Sequence, residues 1–316
     1  MNNHFWHFPR KPLFLNYYFS SIKPGKISYQ GHSGPSGGNA IDERADLSML
    51  KSFSESLDRR SSVFWYNNKA YTEVYDLVTN SFVRIRKEQF ALSNSLNAYR
   101  DTTGTAAHTS GSQAVSNALQ ELFQKNALAL IWYSQRSYRR KFKGFDVLVN
   151  TDFYPLYNAL IFLELDGRSC FGMGSSGVLE EACQKAFEEA LLLLYENSHA
   201  EFLLQGKSRL SYQLTDKEQK GYFKSLVRNA AEGNFKEADI GEQGDVKELI
   251  PNWIHHVYVS LIPNHYNPLF KVTKLYSPDL FASLPYRDIV LAEKGKSILR
   301  FINEKNLAKV PDIPSL

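Results

Sequence analysis

One pattern occurs three times in this sequence: a stretch rich in glycine, serine and threonine precedes a segment whose apolar residues recur at helical spacing. The small-residue stretches are residues 32–39, 101–112 and 171–177, and the segments that follow them are 41–60, 113–132 and 180–195. The small residues predict loops, and the spacing of the apolar residues predicts helices. Any fold for this chain must accommodate three such loop–helix units.

Four further runs have the β-branched and aromatic content that is typical of strands, namely residues 146–150, 160–165, 255–262 and 269–276. The chain is therefore predicted to mix helices with strands. We expect a single domain over residues 1–316, because no sharp linker divides it. Its predicted parts are a lead-in (1–34), a core with the three loop–helix units (35–200), a polar peripheral segment (201–250), and C-terminal strands with a proline-containing tail (251–316).

The composition is that of a folded globular protein, with 43% hydrophobic and 22% charged residues among 316. The longest apolar runs, 127–133 and 190–195, are far shorter than the roughly 20 residues of a membrane-spanning helix. No secretory signal begins the chain, so we expect a cytoplasmic protein with no membrane association and with Cys170 and Cys183 reduced. The net charge of +4 is too small to favour nucleic acid as a partner.

Polar residues at i, i+3, i+4 and i+7 spacing mark one face of each predicted helix. They are Ser52, Glu55, Asp58 and Arg59 in the first helix, Asn117, Glu121, Gln124 and Lys125 in the second, and Lys185 and Glu189 in the third. Taken singly, each set is typical of a solvated helix face. Their recurrence after three small-residue stretches favours one shared anionic ligand, and carboxylates beside Arg and Lys suit Mg²⁺ with a nucleoside triphosphate.

Three stretches also resemble the sequence motifs of the YcaO family. Residues 52–59 are similar to its S-x-x-E-x-x-E-R motif, and residues 101–132 are similar to its small-residue loop and E-x-x-E-R helix. Residues 172–189 resemble its A-x-x-R-x-x-x-E motif, and residues 274–281 and the tail resemble its closing segments. The order is kept along residues 35–316, and the resemblance is strongest to the cyclodehydratase subunits of thiazole- and oxazole-forming synthetases of the microcin B17 type.

The resemblance implies an α+β fold, with β-sheets packed against the motif helices, and an ATP site without a P-loop. The sequence contains no G-x-x-x-x-G-K-[ST]. The resemblance assigns Mg²⁺ binding to Glu55, Asp58, Glu121 and Gln124. It assigns the phosphates to Arg59, Lys125 and Lys185, and the rest of the nucleotide pocket to Ser52, Asn117 and Glu189. His108, just before the second helix, is a candidate for proton transfer, although a lone loop histidine is more often a packing residue.

The resemblance also implies an activity and partners. Family members use ATP to activate a backbone amide of a ribosomally made precursor peptide. A Cys, Ser or Thr side chain attacks the preceding carbonyl, the oxyanion is phosphorylated, and loss of phosphate gives an azoline. We expect this chain to work with an E1-like protein that binds the leader peptide and with a flavin-dependent azoline dehydrogenase, and a homodimer within a larger complex is a further expectation.

The chain departs from the family motifs at several positions. Gln124-Lys125 replaces the second E-R pair, Asp58 replaces Glu, and Lys185 replaces Arg. Gln is an uncharged metal ligand, and Lys lacks the bidentate geometry of Arg. Three alternatives therefore remain open. They are a scaffold subunit that has lost the chemistry, a family enzyme that forms a thioamide or amidine, and an RNA-associated protein that uses the basic run 136–143.

Overall fold

The structure is a computed structural model. It describes residues 5–7, 16–25, 27–29, 32–34, 37–64, 71–93, 99–165, 167–204, 216–233, 235, 245–264 and 266–314. Among these residues, no helix is long and apolar enough to cross a membrane. Both cysteines are buried free thiols, as the sequence predicts.

The chain combines helices with antiparallel sheets whose strands follow one another in runs, which confirms the α+β class. The strands are β1 (Phe5–His7), β2 (Tyr18–Lys23), β3 (Ile27–Tyr29), β4 (His32–Gly34), β5 (Gly38–Asp42), β6 (Tyr71–Asp76), β7 (Ser81–Arg86), β8 (Thr105–His108), β9 (Tyr138–Phe142), β10 (Phe145–Asn150), β11 (Tyr157–Leu165), β12 (Arg168–Ser176), β13 (Tyr258–Ile262) and β14 (Lys271–Tyr276). The helices are α1 (Ala45–Phe64), α2 (Gly111–Ser134), α3 (Leu179–Leu204), α4 (Lys217–Asn229), α5 (Arg287–Ala292) and α6 (Glu304–Leu307).

The chain divides into two compact units. The first comprises Met1–Leu122, Asn252–Leu284 and Gly295–Ser297, and the second comprises Phe123–Pro251, Pro285–Lys294 and Ile298–Leu316.

The first unit has two antiparallel sheets, in the strand orders β1-β2-β5 and β7-β6-β13-β14-β8, and a hairpin of β3 and β4. Helix α1 packs on β2, β5 and β8. Leu57 of this helix lies in an apolar core with Val74, Ala107 and Val272. This packing turns the polar residues of α1 towards the ends of β5 and β8.

The second unit has one antiparallel sheet in the order β12-β11-β10-β9, and α3 packs along β12. Trp132 is fully buried against the rings of Phe171 and Tyr222. Its indole N–H donates to Pro311 O at 2.9 Å, which fixes the proline-containing tail to α2. Helix α4 accounts for part of the predicted polar segment, while residues 205–215 and 236–244 of that segment lie outside the described residues.

All three predicted helices are present, but the prediction of loops before them was wrong in part. Residues 171–176 belong to β12, residues 105–108 form β8, and residues 38–39 begin β5. The reason is close packing of strand on helix. A Cβ atom on Gly38 would lie 2.0 Å from Ser52 O, and one on Gly174 would lie 2.1 Å from Ala182 O. The small residues therefore mark contacts between backbones more than they mark turns.

The predicted late strands are confirmed with shifted ends. β14 begins at Lys271 instead of 269, and β13 begins at Tyr258 instead of 255. His255 and His256 precede β13, and their Nδ1 atoms lie 3.0 Å from Asp279 Oδ1 and 2.7 Å from Asp76 Oδ2. Because these contacts engage the two residues before the strand, the strand pairing of β13 begins only at Tyr258, later than the residue types predict.

Candidate functional site

Helix α1 presents Glu55 and Arg59 to the start of β5. Glu55 Oε2 accepts the Asn39 N–H at 2.6 Å, and Arg59 forms an ion pair with Glu55 and donates to Gly37 O at 2.9 Å. Ser52 is fully buried, and its hydroxyl donates to Met49 O at 3.0 Å, inside the contact with the strand. The structure thus brings Glu55 and Arg59 together and uses Ser52 for packing.

Asp58 lies on the next turn of α1 and is half-buried. Burial, followed by repulsion from Glu55 and Glu121, raises the pKa of Asp58 well above its usual range, against the opposing effect of Arg59. The carboxylate of Asp58 is therefore close enough to Glu55 and to Glu121 to be repelled by both. Such repulsion disfavours the ionised form of Asp58 unless a cation is added.

Glu121 of α2 is held by the turn before β8. Its Oε2 atom accepts the N–H groups of Gly104 and Thr105 at 3.0 and 3.2 Å. Gly104 has a φ of +76°, and a Cβ there would approach Leu275 O to 3.0 Å, so glycine suits the turn. This turn is the part of the second predicted loop that the structure retains.

Lys274 is a site residue that the sequence analysis missed. It is buried on β14, and its ammonium donates to Asp101 O at 2.8 Å and Thr103 O at 2.5 Å. Burial lowers the pKa of Lys274 to about 8, although the charges of Asp101, Glu121 and Asp58 oppose this shift. A buried cation thus lies near the carboxylates. No short-range pattern reveals it, because β14 is more than 160 residues from the turn at 101–104.

In the second unit, Glu189 of α3 is the common partner of Gln124 and Lys125, two of the residues that differ from the family motif. Its Oε2 atom accepts the Met173 N–H at 3.0 Å and the Gln124 amide at 3.1 Å, and Lys125 Nζ lies 3.6 Å from Oε1. The Gln124 amide also lies 3.2 Å from Met173 O. An amide N–H can donate to both oxygens, whereas the family's Glu would face Glu189 with like charge.

Lys185, one turn before Glu189 on α3, donates to Ser175 O at 3.0 Å. Asn117 lies on α2 one turn before Glu121, and its Oδ1 accepts the side-chain amide of Gln113 at 2.8 Å. His108 ends β8, and its Nδ1 accepts the Ser110 N–H at 3.0 Å. These contacts of Asn117 and His108 are with neighbours in sequence, which for His108 agrees with a packing role.

The same arrangement is found at all three motif helices. A glutamate of the helix accepts backbone N–H groups from the preceding strand or from the turn that leads into that strand. The pairs are Glu55 with Asn39, Glu121 with Gly104 and Thr105, and Glu189 with Met173. Hydrogen bonds from amides to a carboxylate are among the stronger ones in proteins. They fix the glutamates in place, while a carboxylate has about four acceptor positions and retains capacity to bind a cation.

Whether these residues suit Mg²⁺ depends on how many carboxylate ligands the ion needs from the protein. Among the described residues, no three His, Cys, Asp or Glu side chains are grouped closely enough to hold a metal ion by themselves. Mg²⁺ is usually bound by one or two carboxylates together with phosphate oxygens and water. The repelled carboxylate of Asp58, beside Glu55 and Glu121, fits that mode of binding.

The basic run 136–143 makes ion pairs with neighbouring carboxylates. The pairs are Arg136 with Asp152, Arg139 with Glu232, Arg140 with Glu180, and Lys141 with Asp146. Arg139, Arg140 and Lys141 line a cavity of about 1500 Å³ in the second unit. Cations that are paired in this way contribute less to binding phosphates, which weakens the RNA-associated alternative.

Comparison of the sequence with protein-family models and with curated proteins gave no match. Comparison of the structure with solved structures gave clear matches. The YcaO protein of Methanopyrus kandleri, bound with AMPPCP and Mg²⁺, has a TM-score of 0.61 at 14% identity, over 89% of this chain and 86% of that chain. A chain of the McbBCD microcin synthetase complex of E. coli has a TM-score of 0.62 at 16% identity, over 89% and 88%.

A heterocyclase in complex with substrate and cofactor has a TM-score of 0.66 at 13% identity, and the match covers 99% of this chain and 54% of that one. At such identities the likeness establishes the fold and leaves the activity to be argued from the residues. The chain therefore has the fold of the YcaO structures.

Proposed function

We propose that the chain is a YcaO-type enzyme that binds ATP with Mg²⁺ to activate backbone amides of a ribosomally made precursor peptide. The observation that carries the proposal is the pair of glutamates, Glu55 and Glu121, that backbone N–H groups hold in place on two of the motif helices. Their charges, after burial, raise the pKa of the neighbouring Asp58. A protein that holds one carboxylate close to two others gains from a divalent cation there. The fold is that of a structure bound with AMPPCP and Mg²⁺, which supports the same choice of ligand.

The residues of the first unit would hold the metal. Asp58, Glu55 and Glu121 supply hard carboxylate oxygens, and the strand amides keep the two glutamates oriented. Arg59, already paired with Glu55, would neutralise phosphate charge. Lys274 limits the net negative charge of the group before any ligand arrives.

In the second unit, Lys125 and Lys185 are the residues for which the family resemblance implies phosphate binding. Gln124 would bind as a neutral oxygen ligand, and Glu189 orients Gln124 and Lys125. Lys185 supplies a point charge where the family motif has the two-pronged guanidinium of Arg.

A Cys, Ser or Thr side chain of the peptide would attack the preceding carbonyl, and the phosphoryl group of ATP would be transferred to the resulting oxyanion. That oxygen would then leave as phosphate, which gives the azoline ring. The chain's own contribution is to hold the phosphates and to stabilise the charge that develops on them. The match to a chain of the McbBCD complex supports work within a multiprotein complex. The partners proposed for it, on the sequence resemblance alone, are an E1-like leader-binding protein and a flavin-dependent azoline dehydrogenase.

ATP turnover tests the proposal. Glu55→Ala and Glu121→Ala each remove a carboxylate of the proposed metal site, and we expect either to abolish phosphate release from ATP. Glu88→Ala, a change at an exposed glutamate of the same unit, is the control and should leave turnover unchanged. Near-normal turnover in both site variants would contradict the proposal.

A scaffold subunit is the second candidate, and one observation favours it. Gln124 is bonded to both Glu189 and Met173 O, so that the substituted position already contributes to the packing of the second unit. A protein that has lost nucleotide chemistry would retain such contacts and would bind no ATP with Mg²⁺. The two candidates therefore differ in a binding measurement as well as in turnover.

A further inference from the structure

Thr105 is the first residue of β8, and its side chain lies on the face of the sheet that carries Lys274. The register of β8 and β14 pairs Thr105 with Lys274 and Ala107 with Val272. Directly paired residues of antiparallel strands point to the same face. Ala107 and Val272 pack with Leu57 of α1, so this face is turned towards the helix that carries Asp58.

The backbone of Thr105 is already part of the site. Its N–H donates to Glu121 Oε2 at 3.2 Å, next to the bond from Gly104 at 3.0 Å. The ammonium of Lys274, its cross-strand neighbour, is influenced by the charges of Glu121 and Asp58. The Thr105 side chain therefore starts from a backbone that contacts Glu121 and lies on the sheet face of Lys274.

The hydroxyl of Thr105 has no hydrogen-bond partner among the described residues, although the residue is only 5% exposed. Leaving a buried hydroxyl unsatisfied is unfavourable, because the group loses its hydrogen bonds to water. Buried polar groups in native proteins are nearly always paired with protein, ordered water or ligand. The neighbouring cation is engaged elsewhere, because Lys274 donates to the carbonyls of Asp101 and Thr103.

We propose that the Thr105 hydroxyl is a further binding group of the site, hydrogen-bonding to the water shell of a divalent cation held by Asp58 and Glu121. The inference rests on the proposed function, because it needs Mg²⁺ at these carboxylates. Mg²⁺ usually keeps several of its waters when protein-bound, and each such water is a strong hydrogen-bond donor. A hydroxyl oxygen can accept a hydrogen bond from one of these waters.

The test is Thr105→Val, which keeps the branched shape suited to a strand and removes only the hydroxyl. Thr273→Val is a matched control. Thr273 is fully buried, its hydroxyl is also without a partner among the described residues, and it lies on the neighbouring strand facing the opposite side of the sheet from Lys274. Each variant and the wild type are titrated with MgCl₂ in the presence of a non-hydrolysable ATP analogue, and binding is followed by calorimetry.

We expect Thr105→Val to weaken Mg²⁺ binding about tenfold, the effect of losing one hydrogen bond to a charged ligand. Thr273→Val should bind like the wild type, and Thr105→Ser, which keeps the hydroxyl, should retain most of the affinity. Without ligand, Thr105→Val should melt no lower than the wild type, because it removes an unpaired group.

Two failures are distinguishable in the same titration. If the wild type binds Mg²⁺ and Thr105→Val binds it equally well, the role of the hydroxyl is refuted while the proposed function stands. If the wild type does not bind Mg²⁺ with the analogue, both are refuted. If Thr105→Val loses its fold, the affinity of Thr105→Ser decides. Wild-type affinity would support the role of the hydroxyl, and an affinity about tenfold below that of the wild type would overturn it.

Discussion

Close packing of β12 on α3 predicts a large loss of stability in Gly174→Ala. The new Cβ would lie 2.1 Å from Ala182 O and 2.5 Å from Ala186 N, and ordinary contact begins at about 3.4 Å. Both obstacles are backbone atoms of a helix, so no side-chain rotation relieves them. The helix would have to move away from the strand by more than about 1 Å.

Overpacking of this kind costs about 1–3 kcal/mol, and the rigid backbone on the helix side places Gly174→Ala at about 3 kcal/mol. For a unit of this size each kcal/mol lowers the melting temperature by about 2–4 °C, so we expect a fall of about 6–12 °C. The same movement would lengthen the bonds from Lys185 to Ser175 O and from Met173 to Glu189, both now 3.0 Å.

Scanning calorimetry measures the effect, with Gly221→Ala as the control in the same unit. Gly221 lies in α4, and a Cβ there would meet no neighbouring atom within 4 Å, so alanine should raise stability by about 1 kcal/mol through helix propensity. A melting temperature of Gly174→Ala within about 2 °C of the wild type would mean a loss of about 1 kcal/mol or less, and it would refute the packing argument.

Three further predictions concern the site. Gln124→Glu replaces an amide donor by a carboxylate that faces Glu189 and Met173 O, so urea unfolding of the metal-free protein should show a loss of about 1–3 kcal/mol. Added Mg²⁺ should restore part of this stability, and an unchanged unfolding midpoint would contradict the two hydrogen bonds of Gln124. Lys274 has its pKa lowered from 10.5 to about 8, so the unfolded chain keeps this proton to higher pH than the folded one. The free energy of unfolding should therefore rise between about pH 8 and 10.5, and Lys274→Met should lack that rise in the same pH series. The pKa of Asp58 is raised above 3.8, so the folded chain keeps this proton to higher pH than the unfolded chain, and the free energy of unfolding should fall as pH rises above 3.8. Asp58→Asn should reduce that fall, and a pH profile identical to that of the wild type would contradict the raised pKa.

The helices and their glutamates were predictable from sequence because their signals are local. Apolar spacing located α1, α2 and α3, and the i, i+3 and i+4 rule placed Glu55 with Asp58 and Glu121 with Gln124. The strands β5, β8 and β12 were harder to predict, because the glycines that permit close contact with a helix look like loop residues when read locally.

Other parts of the site depend on contacts that sequence spacing does not contain. Lys274 and Thr105 are brought together by antiparallel pairing of β8 with β14. The bonds from strand amides to Glu55, Glu121 and Glu189 involve main-chain groups that carry no sequence signature. The importance of these residues appears only once the sheet register is known.

Calorimetric titration of the purified protein with Mg²⁺ and ATP, beside the variant Asp58→Asn, tests the central claim most directly. Asparagine keeps the shape of the side chain and removes the negative charge of Asp58, which Glu55 and Glu121 repel. We expect Mg²⁺-dependent binding of ATP to the wild type and at least a tenfold loss in the variant, about 1.4 kcal/mol or more. Equal binding by the two proteins, or no binding by the wild type, would contradict the claim.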